Sequence, residues 1–316
     1  MLRVVFCGTG EIGLPALRAL LDSGKYEVPG VITQPDKPAG RDLKPRASAI
    51  KRLAIERGLP VYQPPKLRDA ASLEMLRSLE PDVMVVVAYG QILPKSVLEL
   101  PRLGCLNLHA SLLPRHRGAS PIHAAILAGD ANTGMTVMYM DEGLDTGDAL
   151  LERSLAIGPQ ETTGELHDRL ADIAAPCLLD ALDLLAAGTA PRSPQDSKNA
   201  TYAPKLKKAD GWLDWNKSSQ EVALRIRAMS PWPGAFARIS GHLLKIHAAT
   251  AHASSGPPGE VLQADADSLV VACATGSLSL MTVQLQGRKS LPAADFLRGF
   301  PLAPGARFDL SFSPEP

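Results

Sequence analysis

From Leu2 to Thr189, short apolar runs alternate with longer stretches in which apolar residues recur at helical spacing. Residues 2–7 and 26–33 read as strands, and residues 13–23 and 48–58 as helices. Residues 82–88, Asp-Val-Met-Val-Val-Val-Ala, are almost unbroken in apolarity, as a parallel strand covered on both faces should be. Residues 104–109 and 136–140 continue the strand series, and 163–187 carry a long helical period. Strands alternating with helices predict an α/β fold, a doubly wound, mostly parallel sheet with ligands at the carboxyl ends of its strands. Residues 191–206 break the rhythm with Pro191, Pro194 and Pro204 among polar neighbours, and read as a linker. Beyond it one helix, 219–229, precedes short β-like runs at 234–239, 243–248, 259–264, 269–274 and 278–285, the pattern of a small β-barrel.

Composition narrows the class. A length of 316 residues suits about two domains, and 45% hydrophobic content excludes a largely disordered chain. With only 6 Phe, 5 Tyr and 3 Trp, aliphatic side chains and Ala must fill the cores. Lys+Arg and Asp+Glu are both 33, so no global field marks a nucleic-acid or membrane binder. The residues from Lys205 onward carry 12 Lys/Arg against 9 Asp/Glu, a net of +3, which leaves −3 for the first 204. That asymmetry permits a polyanionic partner on the second domain without requiring one. Cys7, Cys105, Cys177 and Cys273 form no C-x-x-C pair, so reduced thiols are expected rather than a zinc ribbon or a disulfide framework. No apolar run approaches the roughly 20 residues of a membrane span, and the chain opens directly into a strand-like run. A cytoplasmic protein without a membrane partner is expected, and a monomer, since no heptad or long edge strand is evident.

Gly8-Thr-Gly10-Glu-Ile-Gly13 follows the first strand and opens a helix, the local context of a dinucleotide fingerprint. The acid such a site needs after the second strand is missing: Thr33-Gln34-Pro35 stands there, with Asp36 beyond. Glycines that simply make a tight strand-to-helix turn are the competing explanation. The densest polar chemistry runs from Asn107 to Asp148. Asn107 and His109 are two apart on one strand and share a face, an amide and an imidazole able to stabilise an oxyanion. The Gly-punctuated loop Asp141-Glu-Gly-Leu-Asp145-Thr-Gly-Asp148 can bring a carboxylate to His109 and favour its charged form. Equally, His109 can be a structural strand-end histidine, and Asp141, Asp145 and Asp148 Asx-turn residues. One His without a second ligand at metal spacing predicts no metal site.

At these residues the chain resembles the folate-dependent formyltransferases. The resemblance rests on Asn107-Leu-His109-Ala-Ser111-Leu112-Leu113-Pro114 with Arg117-Gly118, and on Asp141 through Asp148. Supporting text is Val5-Phe-Cys-Gly-Thr9, Gln34 through Arg41, Ala88-Tyr89-Gly90-Gln-Ile92-Leu-Pro94 and Gly287-Arg288-Lys289, so essentially the whole chain is covered. The resemblance implies a Rossmann-like formyltransferase domain at 1–190, a linker at 191–206 and an OB-like, tRNA-binding β-barrel at 207–316. It implies 10-formyltetrahydrofolate as co-substrate, with no metal and no NAD(P), and initiator methionyl-tRNA as acceptor. Asn107, His109 and Asp145 match the family's catalytic set. Ser111, Leu112, Leu113 and Pro114 match its folate signature, with Val87, Tyr89, Gly90, Ile92 and Asp141 on the flanking loops. Arg41 matches its critical tRNA-binding arginine, in a basic loop with Lys37 and Lys44. Lys207, Lys208, Arg288 and Lys289, with Lys205, are expected to meet phosphates on the second domain. The loop departs from the family's usual Gly-Arg-Gly-Lys at Asp42-Leu43, and His116 stands where Trp or Tyr is common. Trp212, Trp215 and Trp232 are either base-stacking or core residues.

The nearest rival within this chemistry is a formyltransferase acting on an amino-sugar nucleotide, UDP-4-amino-arabinose. From other classes, a non-catalytic folate- or RNA-binding protein and an oxidoreductase using Gly8 to Gly13 compete.

Overall fold

Residues 1–39, 44–265 and 268–312 are described in the computed structural model of the chain. They form two compact units: Met1–Pro121, Asn132–Ala156 and His167–Ala203 make the first, and Ile122–Ala131, Ile157–Leu166 and Pro204–Pro316 the second.

In the first unit, β1 (Val4–Gly8), β2 (Val31–Ile32), β3 (Val61–Tyr62), β4 (Val83–Val87), β5 (Cys105–His109), β6 (Asn132–Tyr139) and β7 (Ala149–Ala156) build one sheet. Their order is β7-β6-β5-β4-β1-β2-β3. The last five in that order are parallel, whereas β6 runs antiparallel to β5 and β7 antiparallel to β6. β1 and β4 are buried along their whole length, which explains their unbroken apolar text. β1 has β2 on one side and β4 on the other, so the winding reverses there. At such a reversal the strand ends leave a crevice for ligands. The register Gly8 to Val87 and Val86 to Asn107 sets the carboxyl ends of β1, β4 and β5 side by side.

The longer helices of this unit are α1 (Leu14–Asp22), α2 (Ala49–Glu56), α3 (Ala70–Ser78) and most of α5 (Thr163–Ala186), whereas α4 (Pro121–Leu127), which precedes β6 in the chain, belongs beyond its first residue to the second unit. Ser48 caps α2 by accepting from Lys51 N at 3.1 Å, and Asp69 caps α3 by accepting from Ser72 N at 2.7 Å. The strand expected at 26–33 contracts to Val31–Ile32, because Pro29 offers no N–H to a ladder. α3 and β7 are elements that periodicity did not reveal. β7 is an edge strand, Ala-Leu-Leu-Glu-Arg-Ser-Leu-Ala, with no β-branched residue to mark it.

The fingerprint glycines are explained by packing. A Cβ on Gly8 would meet Val87 O at 2.9 Å, and one on Gly10 would meet the Ala88 Cβ at 2.9 Å. The turn must pass this close to the end of β4, as the tight-turn alternative holds.

In the second unit, α6 (Ser219–Ala228) opens with a capping box between Ser218 and Glu221. β8 (Ala235–Ile239), β9 (His242–His252), β10 (Val261–Ala264), β11 (Leu269–Ala272) and β12 (Ser277–Leu285) follow, and α7 (Ala293–Gly299) comes last. The strands pair antiparallel in the order β8-β9-β12-β11-β10. A late segment joins the two open edges: Asp309 N donates to Arg238 O on β8, and Val261 N on β10 donates to Ala306 O. The sheet thereby closes into the small barrel expected from its short strands. Trp215 is fully buried with Phe308 5.0 Å away, Trp212 packs on Phe236 and Phe312, and Trp232 is half exposed.

All four cysteines are free and buried, and burial pushes the Cys105 and Cys273 thiols up to about 12. No described helix is long and apolar enough to cross a membrane.

Candidate active site

Asn107 and His109 project from one face of β5 beside the ends of β1 and β4. Because β6 is antiparallel, its following loop departs near the amino end of β5, where Met140 N donates to Cys105 O. The loop then folds back, and Asp145 reaches both β5 side chains. Asn107 Nδ2 donates to Asp145 Oδ1 at 3.3 Å, and Gly118 N donates to Asp145 Oδ2 at 2.8 Å. His109 Nδ1 lies 3.7 Å from Asp145 Oδ2. Asp145 sits at φ +53°, a left-handed conformation that Asp tolerates better than most residues.

The other imidazole nitrogen fixes the tautomer. His109 Nε2 is 2.9 Å from His116 O, and a carbonyl can only accept, so Nε2 carries the hydrogen. Nδ1 is then the nitrogen that faces the carboxylate. His116, at φ +58°, holds this carbonyl in place with its own N–H donating to Thr201 Oγ1 at 2.8 Å. The imidazole of His116 is buried and its Nδ1 lies 3.3 Å from the same Thr201 Oγ1.

Ser111 through Pro114 turn away from β5 and are held by a buried threonine opposite His109. Thr136 Oγ1 donates to Ser111 O at 2.7 Å and accepts from Leu113 N at 3.2 Å. Ser111 is fully buried, Leu113 is buried, and Ser111 Oγ donates to Arg115 O at 2.6 Å. Leu112 packs so tightly on β6 that a Cβ on Gly134 would lie 2.6 Å from its Cδ2.

The loop after β4 is less uniform. Val87 ends the strand, buried. Tyr89 turns its ring into the core, while its carbonyl accepts from Thr9 Oγ1 at 3.2 Å and Gln34 Nε2 at 2.7 Å. Gly90 stands at φ +79°, and Ile92 is 93% exposed. Asp141, also on the expected folate surface, accepts from Gly143 N at 2.9 Å and Thr146 Oγ1 at 2.7 Å. This is the Asx-turn arrangement weighed against a binding role.

Of the basic residues, Arg41 lies outside the described ones, and Lys44 belongs to a short ribbon, Lys37–Ala39 paired with Lys44–Arg46. Lys37 Nζ donates to Gln34 Oε1. Below the ribbon Asp36 is held by Lys51 Nζ and Gln63 Nε2, at 2.7 and 2.8 Å. Lys207, Lys208, Arg288 and Lys289 are exposed on the second unit. Among the described residues no group of His, Cys, Asp and Glu could hold a metal ion. A separate hollow of about 390 Å³, lined by Arg102, Gly104, Tyr139 and Arg192, opens at the amino end of β5, opposite the site.

Sequence reading missed Thr136, the Gly118 amide and the His116 carbonyl. Only Thr136 left a signal, as a polar residue in an otherwise apolar predicted strand.

Residues 2–182 match the formyl transferase family and residues 205–301 its C-terminal domain. The methionyl-tRNA formyltransferase of Aromatoleum aromaticum is 51% identical over 308 residues, 98% of this chain and 97% of that protein. That of Geotalea uraniireducens is 49% identical over 305 residues, 96% and 97% of the two chains. Among solved structures, an N-formyltransferase from Helicobacter canadensis shares the fold with a TM-score of 0.67 at 16% identity, over 89% of this chain and 99% of that one. HypX from Aquifex aeolicus does so with a TM-score of 0.62 at 19% identity, over 95% and 47%. Matched by both family domains and by near-full-length relatives, this chain belongs to the methionyl-tRNA formyltransferase family.

Proposed function

We infer that this chain transfers the formyl group of 10-formyltetrahydrofolate to the α-amine of methionyl-initiator tRNA, giving formylmethionyl-tRNA for translation initiation. The observation that carries the reading is the convergence of Asn107, His109 and Asp145 at the carboxyl end of β5, in a chain about half identical to methionyl-tRNA formyltransferases.

The neutral amine attacks the formyl carbon, a C–N bond forms, and the carbonyl oxygen takes up negative charge. Asn107 has a second Nδ2–H beyond the one given to Asp145, and His109 in its charged form has Nδ1–H. Both can donate to that oxygen. Asp145 orients Asn107, stabilises the charged imidazole and takes part in moving the amine proton. Collapse of the intermediate breaks the bond to the folate nitrogen, which leaves as tetrahydrofolate after protonation. Ser111, Leu112, Leu113 and Pro114, with Val87, Tyr89, Gly90, Ile92 and Asp141, border the folate. Given the bonds above, Tyr89 and Asp141 contribute through loop shape more than through free polar groups.

Arg41, Lys37 and Lys44 meet the tRNA from the first unit, and Lys207, Lys208, Arg288 and Lys289 meet its phosphates from the second. The product belongs to translation, so the chain acts in the cytoplasm, as a monomer.

The test offers purified protein 10-formyltetrahydrofolate with methionyl-initiator tRNA, UDP-4-amino-arabinose or water as acceptor. Formyl incorporation into the methionyl-tRNA, weakened by salt and by Arg41→Ala and lost in His109→Ala, is expected. Transfer to the sugar alone would replace the acceptor. Folate binding without transfer to any acceptor would sink the enzymatic reading.

A further inference from the structure

Residues 183–204 fall between the two matched family domains and overlap the linker that the sequence predicts at 191–206. Within it Gln195 is partly buried, while every other residue from 191 to 199 is exposed. Its position is set by the edge strand: Ser193 and Ala149 exchange two backbone hydrogen bonds of 2.9 Å at the start of β7. From there the Gln195 carboxamide enters the loop that carries Asp145. Nε2 donates to Asp145 O at 2.9 Å and to Gly147 O at 2.6 Å. Oε1 accepts from Arg117 Nε at 3.1 Å and Nη2 at 2.7 Å. Arg117 is 2% exposed. Its main chain pairs with Tyr202 of the same stretch, and the next residue, Gly118, supplies the amide that holds Asp145 Oδ2.

These contacts use the full capacity of one primary amide, two N–H donors and an oxygen that accepts twice. A side chain with that inventory is needed because two carbonyls must be held and a buried guanidinium satisfied at once. The carbonyls belong to Asp145, which is left-handed, and to Gly147, where the chain passes against Tyr139. A left-handed residue persists where its surroundings over-determine it, and here the carboxamide and the Gly118 amide grip Asp145 from its two ends.

We propose that Gln195 is a positioning residue for formyl transfer. Its carboxamide, oriented by Arg117, clamps the 145–147 turn so that the Asp145 carboxylate faces His109 Nδ1. The proposal rests on the formyl-transfer reading above.

Two variants separate the parts of the clamp. Gln195→Met keeps the bulk and removes all four hydrogen bonds. Gln195→Glu keeps an acceptor for Arg117 but sets oxygen against the two loop carbonyls. Both are expected to lower kcat for methionyl-tRNA by about 10- to 100-fold, the usual effect of a group that orients a reacting one. KM for both substrates stays within about threefold in both variants, and Tm within about 3 °C in Gln195→Glu, which still offers the buried Arg117 an acceptor. Amide exchange at residues 143–147 quickens in both variants. Wild-type kcat in Gln195→Glu, or unchanged exchange at 143–147, overturns the proposal while leaving the function intact. A loss in Gln195→Glu that follows Tm or KM instead overturns it too, by making Gln195 a stability or binding residue. Absence of transfer by the wild-type protein overturns both readings together.

Discussion

Asn107 has two amide hydrogens, and the proposed mechanism uses both. One hydrogen bonds Asp145 Oδ1 at 3.3 Å; in the proposed mechanism the other is left for charge that develops on the formyl oxygen. Asn107→Ala removes an oxyanion donor and is expected to lower kcat by about 10²–10³-fold. Asn107→Asp is the sharper probe, because it keeps the shape and replaces the donor by a second carboxylate against Asp145. Like charges at that distance raise the proton affinity of the pair, so this variant should recover as pH falls, whereas Asn107→Ala should not. Single-turnover rates against pH check both. An Asn107→Asp enzyme within threefold of wild type at neutral pH would remove Asn107 from the chemistry. The same arithmetic of donors fixes His109: with Nε2–H spent on the His116 carbonyl, only Nδ1 can face both Asp145 and substrate.

At the scale of elements, the proposed mechanism gives the positioning of Asp145 to the loop between β6 and β7, whose backbone passes very close to itself. A Cβ on Gly147 would lie 1.8 Å from Tyr139 O and 2.9 Å from Tyr139 C. Both are backbone atoms that no rotamer change can move. Gly147→Ala must therefore shift the turn, at about 1–3 kcal/mol in stability, and should lower kcat further than Tm, since Asp145 is two residues away. Chemical denaturation and transfer rates on the same sample test this; a melting change with full activity would mean the loop does not position Asp145. The elements here differed in how far they could be read from the chain. β1 and β4 were legible because burial on both faces forces apolar runs, and Asn107 and His109 of β5 because a period of two places them on one face. β7 was not, since an edge strand half open to water needs no such run. The clamp through Gln195 left no trace: it joins a side chain to carbonyls 48 and 50 residues away, and no periodicity encodes a contact of that kind.

The two units differ in how they use charge, and acid should reveal it. In the first unit, depressed carboxyls tie together parts of the chain that are far apart. Asp82 is lowered mainly by the Arg3 amide and also by Arg102. Asp183 is lowered by Lys25 and Tyr26, 158 and 157 residues away, and Asp36 by Lys51 and Gln63. In the second unit the depressed carboxyls Glu165 and Glu221 only cap their own helices, accepting from Thr162 and Ser218. A carboxyl whose folded pKa lies below its unfolded value gives stability that is full above the unfolded pKa, about 4, and lost as pH falls through the folded one. The first unit is thus expected to lose stability below about pH 4 ahead of the second. Nature has supplied the reporter: Trp212, Trp215 and Trp232 all lie in the second unit, so tryptophan emission follows it alone, whereas tyrosine near-ultraviolet dichroism draws on Tyr26, Tyr62, Tyr89 and Tyr139 of the first. On acid titration the tyrosine signal should change at higher pH than the tryptophan one, and Asp82→Asn should move the first midpoint upward while leaving the second in place. Coincident midpoints, or tryptophan changing first, would mean that the long-range carboxylates of the first unit do not set its acid limit.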